Sequence, residues 1–545
     1  MQLLYTILIM LLVVSGTRIT AQFIPVPLPL LQILIGALLA VPALGLHVRM
    51  EPELFLLLFI PPLLFVDGWR MPKGQFRELR TPILVLAFAL VFFTIVGAGY
   101  FIHWLLPQVP LAACFALAAV LSPTDAVAVS AITHGRLPGT LNNLLQGEAL
   151  MNDASGLVAF KFAVAATLTG VFSLVDAGFQ FVLVAVGGVL VGVVLSYLFG
   201  RLRAWMIARG WEDPAPHVLM LLLLPFAAYV VAEHLGLSGI LSAVAAGMMQ
   251  SRLDLLPKQT TTRLLNRSVW TLLEFTFNGL IFLLLGLQLP DIVTAAFNGH
   301  QGEWSFIGWA LTCVLSVYVV LMALRFVWVY VYWRISGSLR RWRGKKTRFA
   351  GQSRIALSAM ITFGGVRGAV TLAGVMSLPL LLNNGQNFPE RDLLILIAAG
   401  VILVSLLVAS AALPKILPLL PADNAELRER ELNRHRSQVL ESAIRCLEAD
   451  DERATDAHTA VATAEVKAKL MSEYRELLAR TQDASDEAGE QHAVAAQLEH
   501  RLRLDALRTQ RQELYRMRRE NQLDDDMLME ILRDLDIAEA RLHKV

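Results

Sequence analysis

The sequence predicts an all-α polytopic membrane protein of about thirteen spanning helices, followed by a soluble helical tail. Three observations carry that reading. Apolar runs recur from the N-terminus to about Leu420, and a helix that crosses a bilayer needs ~20 mostly apolar residues. The chain of 545 residues is 56% hydrophobic, with a mean hydropathy of +0.56, well outside the composition of soluble domains. Charge collects at the other end: of 92 Lys, Arg, Asp and Glu residues, 48 follow Leu420. The expected division is a transmembrane domain over 1–420 and a cytoplasmic helical tail over 421–545. The tail holds 20 basic and 28 acidic residues, the membrane part 27 and 17, and the two imbalances cancel to a net +2. The basic residues sit in loops between apolar runs, so the partner is the bilayer and no nucleic-acid partner is expected.

Candidate spans start near Leu3, Pro29, Leu54, Pro82, Val109, Leu141, Phe179, His217, Ser238, Val269, Trp304, Ile355 and Leu393. The first, Leu3 to Val14, has no basic residue before it and Arg18 after it, so it reads as an uncleaved span and not as a signal peptide. Pro61-Pro62 is expected to break the third, and the ninth is short. The loops supply an independent check. With the N-terminus outside, the inner loops hold Arg18; Arg70, Lys73, Arg77 and Arg80; Arg136; Arg201, Arg203 and Arg209; Arg252, Lys258, Arg263 and Arg267; and the cluster Arg334 to Arg354. That makes 21 basic residues inside against Arg49 and Arg391 outside. The positive-inside rule then predicts thirteen spans with the tail in the cytoplasm.

Two spans are interrupted. The fifth carries Ser122-Pro123-Thr124-Asp125 and the twelfth carries Gly364-Gly365-Val366-Arg367-Gly368. Proline and paired glycines leave backbone groups unpaired, which lipid tolerates only where they face protein or a watery cavity. The two lie seven spans apart, as an inverted repeat of six spans across a seventh requires. Paired broken helices point to a transporter's ion site; two unrelated packing kinks are the plainer alternative.

Asp153 lies in the apolar stretch from Leu141 to Leu174. An ionised carboxylate at bilayer depth costs several kcal/mol unless it is paired, hydrated or binding something. Such a group holds either a proton or a small hard cation, and competition for one site is by itself an exchange mechanism. A carboxyl kept protonated for helix packing is the structural alternative. Asn152 cannot titrate, so the pair offers one ionising group, and one proton would be traded for one monovalent cation; a polar interhelical clasp is its other reading. Thr124 and Asp125 supply further oxygens at the break, and hard oxygen donors such as Asp153 and Thr124 suit Na⁺ or Li⁺. Asp125 serves equally well to neutralise the positive end of a half-helix.

Glu148 and Arg367 are expected to form a structural ion pair, since a buried guanidinium needs an anion. Glu148 is five residues before Asp153 and points about 140° away round the helix. Lys161, two turns beyond Asp153, either snorkels to an interface or tunes the site's charge. Asp67 follows the proline pair and is placed on the access route as an accessory ligand, whereas Glu233 and Glu274 read as structural. Cys114, Cys313 and Cys446 are far apart and carry neither metal spacing nor a disulfide framework. There is no paired base and nucleophile and no nucleotide loop, so neither an enzyme nor a cofactor is expected.

Four motifs carry a family resemblance: Ile-Pro-Pro-Leu-Leu-Phe-Val-Asp-Gly at 60–68, Leu-Ser-Pro-Thr-Asp-Ala-Val-Ala at 121–128, Gly-Glu-Ala-Leu-Met-Asn-Asp at 147–153 and Gly-Gly-Val-Arg-Gly-Ala at 364–369. With these, in this order, the chain resembles the sodium/proton exchangers of the electroneutral branch of the monovalent cation:proton antiporters, in particular the long bacterial members with a soluble tail. The resemblance implies an inverted-repeat fold with two crossed interrupted helices, a dimerisation domain and a mobile core. It also implies elevator-like alternating access, a homodimer, and a place in the bacterial plasma membrane. By the same resemblance Asp153 binds ion and proton, Asn152 braces the crossing with Thr124 and Asp125, Glu148 and Arg367 pair, and Asp67 sits at the site's mouth. The implied activity is Na⁺ (or Li⁺) exchange for H⁺, electroneutral at one to one, serving pH and sodium homeostasis, with these ions as cargo. One position departs: Ala149 stands where archaeal-type relatives have a serine after the glutamate, leaving Ser155, Asp67 or water to compensate. Competing readings are K⁺/H⁺ exchange and, from another class, a cation-gated channel or sensor signalling through the tail.

The tail is rich in Ala, Glu, Arg, Leu and Gln, with Leu498, Leu502, Leu507 and Leu514 at helical spacing and a break between Asp483 and Gly489. It reads as about four helices, either regulatory or a dimer-reinforcing cap, and names no partner. Arg516, Arg518 and Arg519 could reach lipid headgroups, but neighbouring acids oppose it.

Overall fold

The computed structural model describes residues 2–24, 26–41, 52–71, 73–170, 174–211, 213–253, 260–299, 304–342, 353–382, 385–420, 425–449, 457–482, 488–520 and 525–542. Within them the chain is helical, apart from an isolated bridge between Leu381 and Asn387. It falls into two compact units, Met1–Ala422 and Asp423–Val545. Arg49, Lys258, half of the Arg334 to Arg354 cluster, the boundary at 421 and the break after Asp483 lie outside the described residues.

The first unit opens with α1 (Gln2–Thr20), α2 (Leu28–Leu39) and α3 (Pro52–Arg70). Next come α4 (Lys73–Leu84) and α5 (Val91–Leu105), joined through a π-helical turn, Val85–Leu90. The fifth span is a broken pair, α6 (Leu111–Leu121) and α7 (Ala126–Ile132). Then follow α8 (Gly139–Thr169), α9 (Leu174–Ala208), α10 (Pro214–His234), α11 (Gly239–Leu253), α12 (Thr260–Gly299) and α13 (Trp304–Trp342). A second broken pair, α14 (Arg354–Phe363) and α15 (Ala369–Met376), precedes α16 (Arg391–Ile416). Each of the thirteen expected span starts falls on or beside one of these units. Among the described residues, seven helices are long and apolar enough to cross a membrane, and the α6–α7 pair, bent by 46°, makes an eighth. Several helices overrun the apolar core: α13, at 39 residues, is about 58 Å long at 1.5 Å per residue.

Pro61-Pro62 does not break the third span. Helix α3 runs through both prolines. They remove only the two amide donors that would have reached the carbonyls of Leu57 and Leu58, and the bonds on either side keep the helix continuous.

The helix pairs in most extensive contact are α3 with α11 and α2 with α12. Counted as spans, these are third with ninth and second with tenth. An inverted repeat across the seventh maps one pair onto the other. Both pairs depend on glycine. A Cβ at Gly247 would collide with the Phe65 carbonyl, and one at Gly68 would come within 2.6 Å of the Val244 carbonyl. Likewise a Cβ at Gly36 would strike the Leu283 carbonyl and one at Gly286 the Ile33 carbonyl. With no hydrophobic drive between helices in lipid, such backbone-to-backbone approach is what holds them.

The second unit contains α17 (Ala425–Ala449), α18 (Ala457–Gln482), α19 (Ala488–Arg519) and α20 (Asp525–Leu542). Helix α17 packs on α18 and α19 on α20. Arg511 bridges the second pair, reaching Asp536 and Glu539 at 2.6 Å each. Arg516 is held within α19 by Glu513 and Glu520, so its charge is already engaged.

Gly247→Val should drive α3 and α11 apart. Overpacking costs typically 1–3 kcal/mol, and here the obstructing atom is a backbone oxygen that cannot rotate away. A lower melting temperature of the detergent-solubilised protein is expected; an unchanged one would mean the contact is not tight.

Candidate ion-binding site

The site is built where the two broken spans meet. Helix α6 stops at Leu121, and the chain crosses Ser122 to Asp125 before α7 begins. Asp125 starts that half-helix: its Oδ1 accepts from the amides of Val127 at 2.8 Å and Ala128 at 3.0 Å. Two donors that the break would otherwise strand are thereby satisfied. The other break supplies the rest. The Asp125 amide donates to the Val366 carbonyl at 2.7 Å. Arg367 Nη1 donates to the carbonyls of Ser122 at 3.1 Å and Pro123 at 3.2 Å, and its amide donates to Ser405 Oγ on α16 at 3.0 Å. Gly368 is the residue the contact requires, since a Cβ there would collide with the Asp125 side chain.

Helix α8 locks onto the same break. Asn152 Nδ2 donates to Thr124 Oγ1 at 2.9 Å, and Asn152 Oδ1 accepts from the Thr124 amide at 3.5 Å. Ser155 Oγ donates to the Ala87 carbonyl at 2.7 Å, in the π-helical turn. That hydroxyl is engaged and does not line the cavity, so it does not replace the one lacking at Ala149.

The expected Glu148–Arg367 pair is not what forms. Glu148 is fully buried and pairs with Arg325 of α13 at 2.5 Å, and Arg325 Nε also donates to the Ile361 carbonyl at 3.1 Å. Arg367 is instead absorbed by the carbonyls that the first break freed, which need donors as much as a guanidinium needs acceptors. Arg325 is the residue the sequence reading passed over. Its signal was present: an arginine inside the apolar run Val319 to Val329 must find a buried acceptor.

Beside the crossing lies a cavity of about 310 Å³, lined among others by Asp67, Thr124, Asp125, Ala149, Asp153 and Glu274. Asp153 is 9% exposed there. On α8 the lining residues are Gln146, Ala149, Leu150 and Asp153, all on the Gly139 side of the aspartate. On α3 they run to Arg70, and on α7 to Ser130. The cavity therefore leads from Asp153 toward one side only, that of Arg70 and Arg136. Asn152 lies behind the lining, as a brace. Glu274, read from sequence as structural, faces the cavity, and Arg70 holds it at the mouth. Lys161 lies the other way along α8 and pairs with Glu233 of α10 at 2.9 Å; it neither lines the cavity nor hangs free toward an interface. Among the described residues no three His, Cys, Asp or Glu side chains converge as a metal cage. The acids instead surround a space wide enough for water.

The family described as "Sodium/hydrogen exchanger, transmembrane" matches residues 7–418. A protein of Escherichia coli (strain K12) named as an uncharacterized Na⁺/H⁺ exchanger, YjcE, is 44% identical over 99% of both chains. A sodium, potassium, lithium and rubidium/H⁺ antiporter of Bacillus pumilus is 39% identical over 97% of this chain and 77% of its own. The solved structure of the sodium proton antiporter MjNhaP1 from Methanocaldococcus jannaschii at pH 8 aligns with a TM-score of 0.57 at 15% identity. It covers 77% of this chain and 99% of that one.

Arg325→Gln should leave Glu148 buried without its cation, lowering stability by roughly 3–5 kcal/mol. Arg325→Met combined with Glu148→Gln should recover most of that in a thermal melt. If the single and the double variant melted alike, the pair would not be the source of the stability.

Proposed function

The chain belongs to the sodium/hydrogen exchanger family, and we propose that Asp153 is the carboxylate through which it exchanges a monovalent cation for a proton. The observation that carries this reading is the cavity: it ends at Asp153, is lined by Asp67, Thr124 and Asp125, and abuts the crossing of two broken helices. A carboxylate there accepts a proton or a small cation, and each displaces the other. Thr124 and water complete a cation's shell, while Asn152 and Asp125 hold the crossing in place. One titrating group per pair fits a one-for-one, electroneutral cycle. Na⁺ or Li⁺ is the cargo best suited to hard oxygen donors.

Loops rich in arginine and lysine support placing the Arg70 side in the cytoplasm, so this conformation is read as facing inward. The protein lies in the plasma membrane, acts as a homodimer, and carries the site across by movement of its core helices. A second reading, K⁺/H⁺ exchange, is favoured by one feature. Ala149 puts a methyl group on the cavity wall, leaving a wider and less coordinating space for a larger ion.

Purified protein in liposomes holding a pH-sensitive dye should give proton counterflow on adding Na⁺ or Li⁺; the response to K⁺ separates the two readings. Asp153→Asn should abolish the signal, and wild-type rates in that variant would overturn the assignment. Since proton and cation compete for one carboxylate, the apparent KM for Na⁺ should rise as pH falls, approaching about tenfold per unit at the acid end. An imposed membrane potential should leave the rate unchanged.

A further inference from the structure

At the mouth of the cation cavity stands a cation. Arg70, three residues after Asp67 on α3, lines the same space, and residues at that spacing share a helix face. Left to itself, its guanidinium would fold back one turn onto Asp67, cover the acids and repel the cargo. The structure shows where it goes instead. Arg70 Nη1 is bonded to Glu274 of α12, and Nη2 donates to Thr271 Oγ1 at 3.2 Å. Thr271 and Glu274 lie one turn apart on α12, so two acceptors from a single helix face meet the two arms of the guanidinium. The group is only partly buried, with side-chain exposures of 39% for Arg70 and 23% for Glu274, and is thus accessible from solvent.

We propose that Glu274 is a positioning residue for transport. It holds Arg70 off Asp67, and so sets how strongly the inner mouth draws in a monovalent cation. Arg70 is a tethered competitor of the cargo, kept aside by its partner. Removing Glu274 releases the competitor, whereas removing Arg70 leaves an extra acid to attract the ion. The two substitutions therefore act in opposite directions, which a merely structural ion pair would not do: breaking such a pair from either end gives the same loss.

This inference rests on the Asp153 reading, and Na⁺ binding distinguishes its failure from the failure of that reading. The purified full chain is titrated with NaCl by calorimetry, and transport is followed in liposomes. Glu274→Gln should weaken Na⁺ binding and raise the KM about tenfold, acting on KM and not on kcat. Arg70→Gln should tighten binding by a similar factor, and the two together should return to within about twofold of wild type. Arg70→Lys, which keeps a charge but loses the fork, should bind Na⁺ close to wild type. If both single variants weaken binding alike and the double variant does not recover, the positioning role is wrong even where wild-type exchange and its loss in Asp153→Asn hold. If the opposed shifts appear in binding while Asp153→Asn still transports, the positioning role stands and the Asp153 reading falls. Melting temperatures of all four variants separate these effects from loss of fold.

Discussion

Everything at the centre of this protein depends on how two interrupted helices satisfy each other's backbone. In a bilayer a freed amide or carbonyl has no water to turn to. The break at Ser122 to Asp125 strands carbonyls, and the break at Gly364 to Gly368 strands others. Each supplies what the other lacks: the Val366 carbonyl takes the Asp125 amide, and the Arg367 guanidinium takes the carbonyls of Ser122 and Pro123. Asn152 adds a third attachment from α8 through Thr124. The crossing is therefore held by reciprocal hydrogen bonds, and irregular backbone can persist at that depth because each break supplies partners to the other.

The cavity follows from the same arrangement. Asp153 is one residue beyond the brace at Asn152, so the helix face that fixes the crossing lies next to the face that meets water. Glu148, on a third face, anchors α8 to α13 through Arg325. One helix thus assigns its polar groups to three directions: bracing, anchoring, and contact with the cavity. Lys161 and Glu233 join α8 to α10 on the side away from the cavity, which agrees with access from one side alone.

Much of this was legible in the sequence because membranes impose few solutions. Apolar length marked the span starts, and Pro123 and the paired glycines marked the breaks. What failed was partner choice. Arg367 and Glu148 are each buried and charged, so pairing them is the simplest guess. Sequence cannot show that a broken helix offers carbonyls enough to occupy an arginine, nor that Arg325 arrives from α13. The proline pair misled for a related reason. Two missing amides look like a break on paper, but α3, packed on α11 through Gly68 and Gly247, stays helical through both prolines. Glu274 was underrated because its position relative to Asp67 depends on how α12 packs on α3, a long-range fact with no local pattern.

The distribution of charge says which groups are left for the cargo. Four cations around the site already have acceptors: Arg325 has Glu148, Arg367 has backbone carbonyls, Arg70 has Glu274 and Lys161 has Glu233. Among the described residues no salt bridge reaches Asp67, Asp125 or Asp153, and Asp125 is engaged in capping α7. Asp153 is then the buried carboxylate to which no salt bridge is made, while Asp67, half-buried, lies near the Arg70 charge. A buried acid in that position is stable only with a proton or with a cation from solution. By pairing its other charges and leaving Asp153 without a salt bridge, the fold leaves that carboxylate to be neutralised by a proton or by a cation from solution, which is what the proposed exchange at one carboxylate requires.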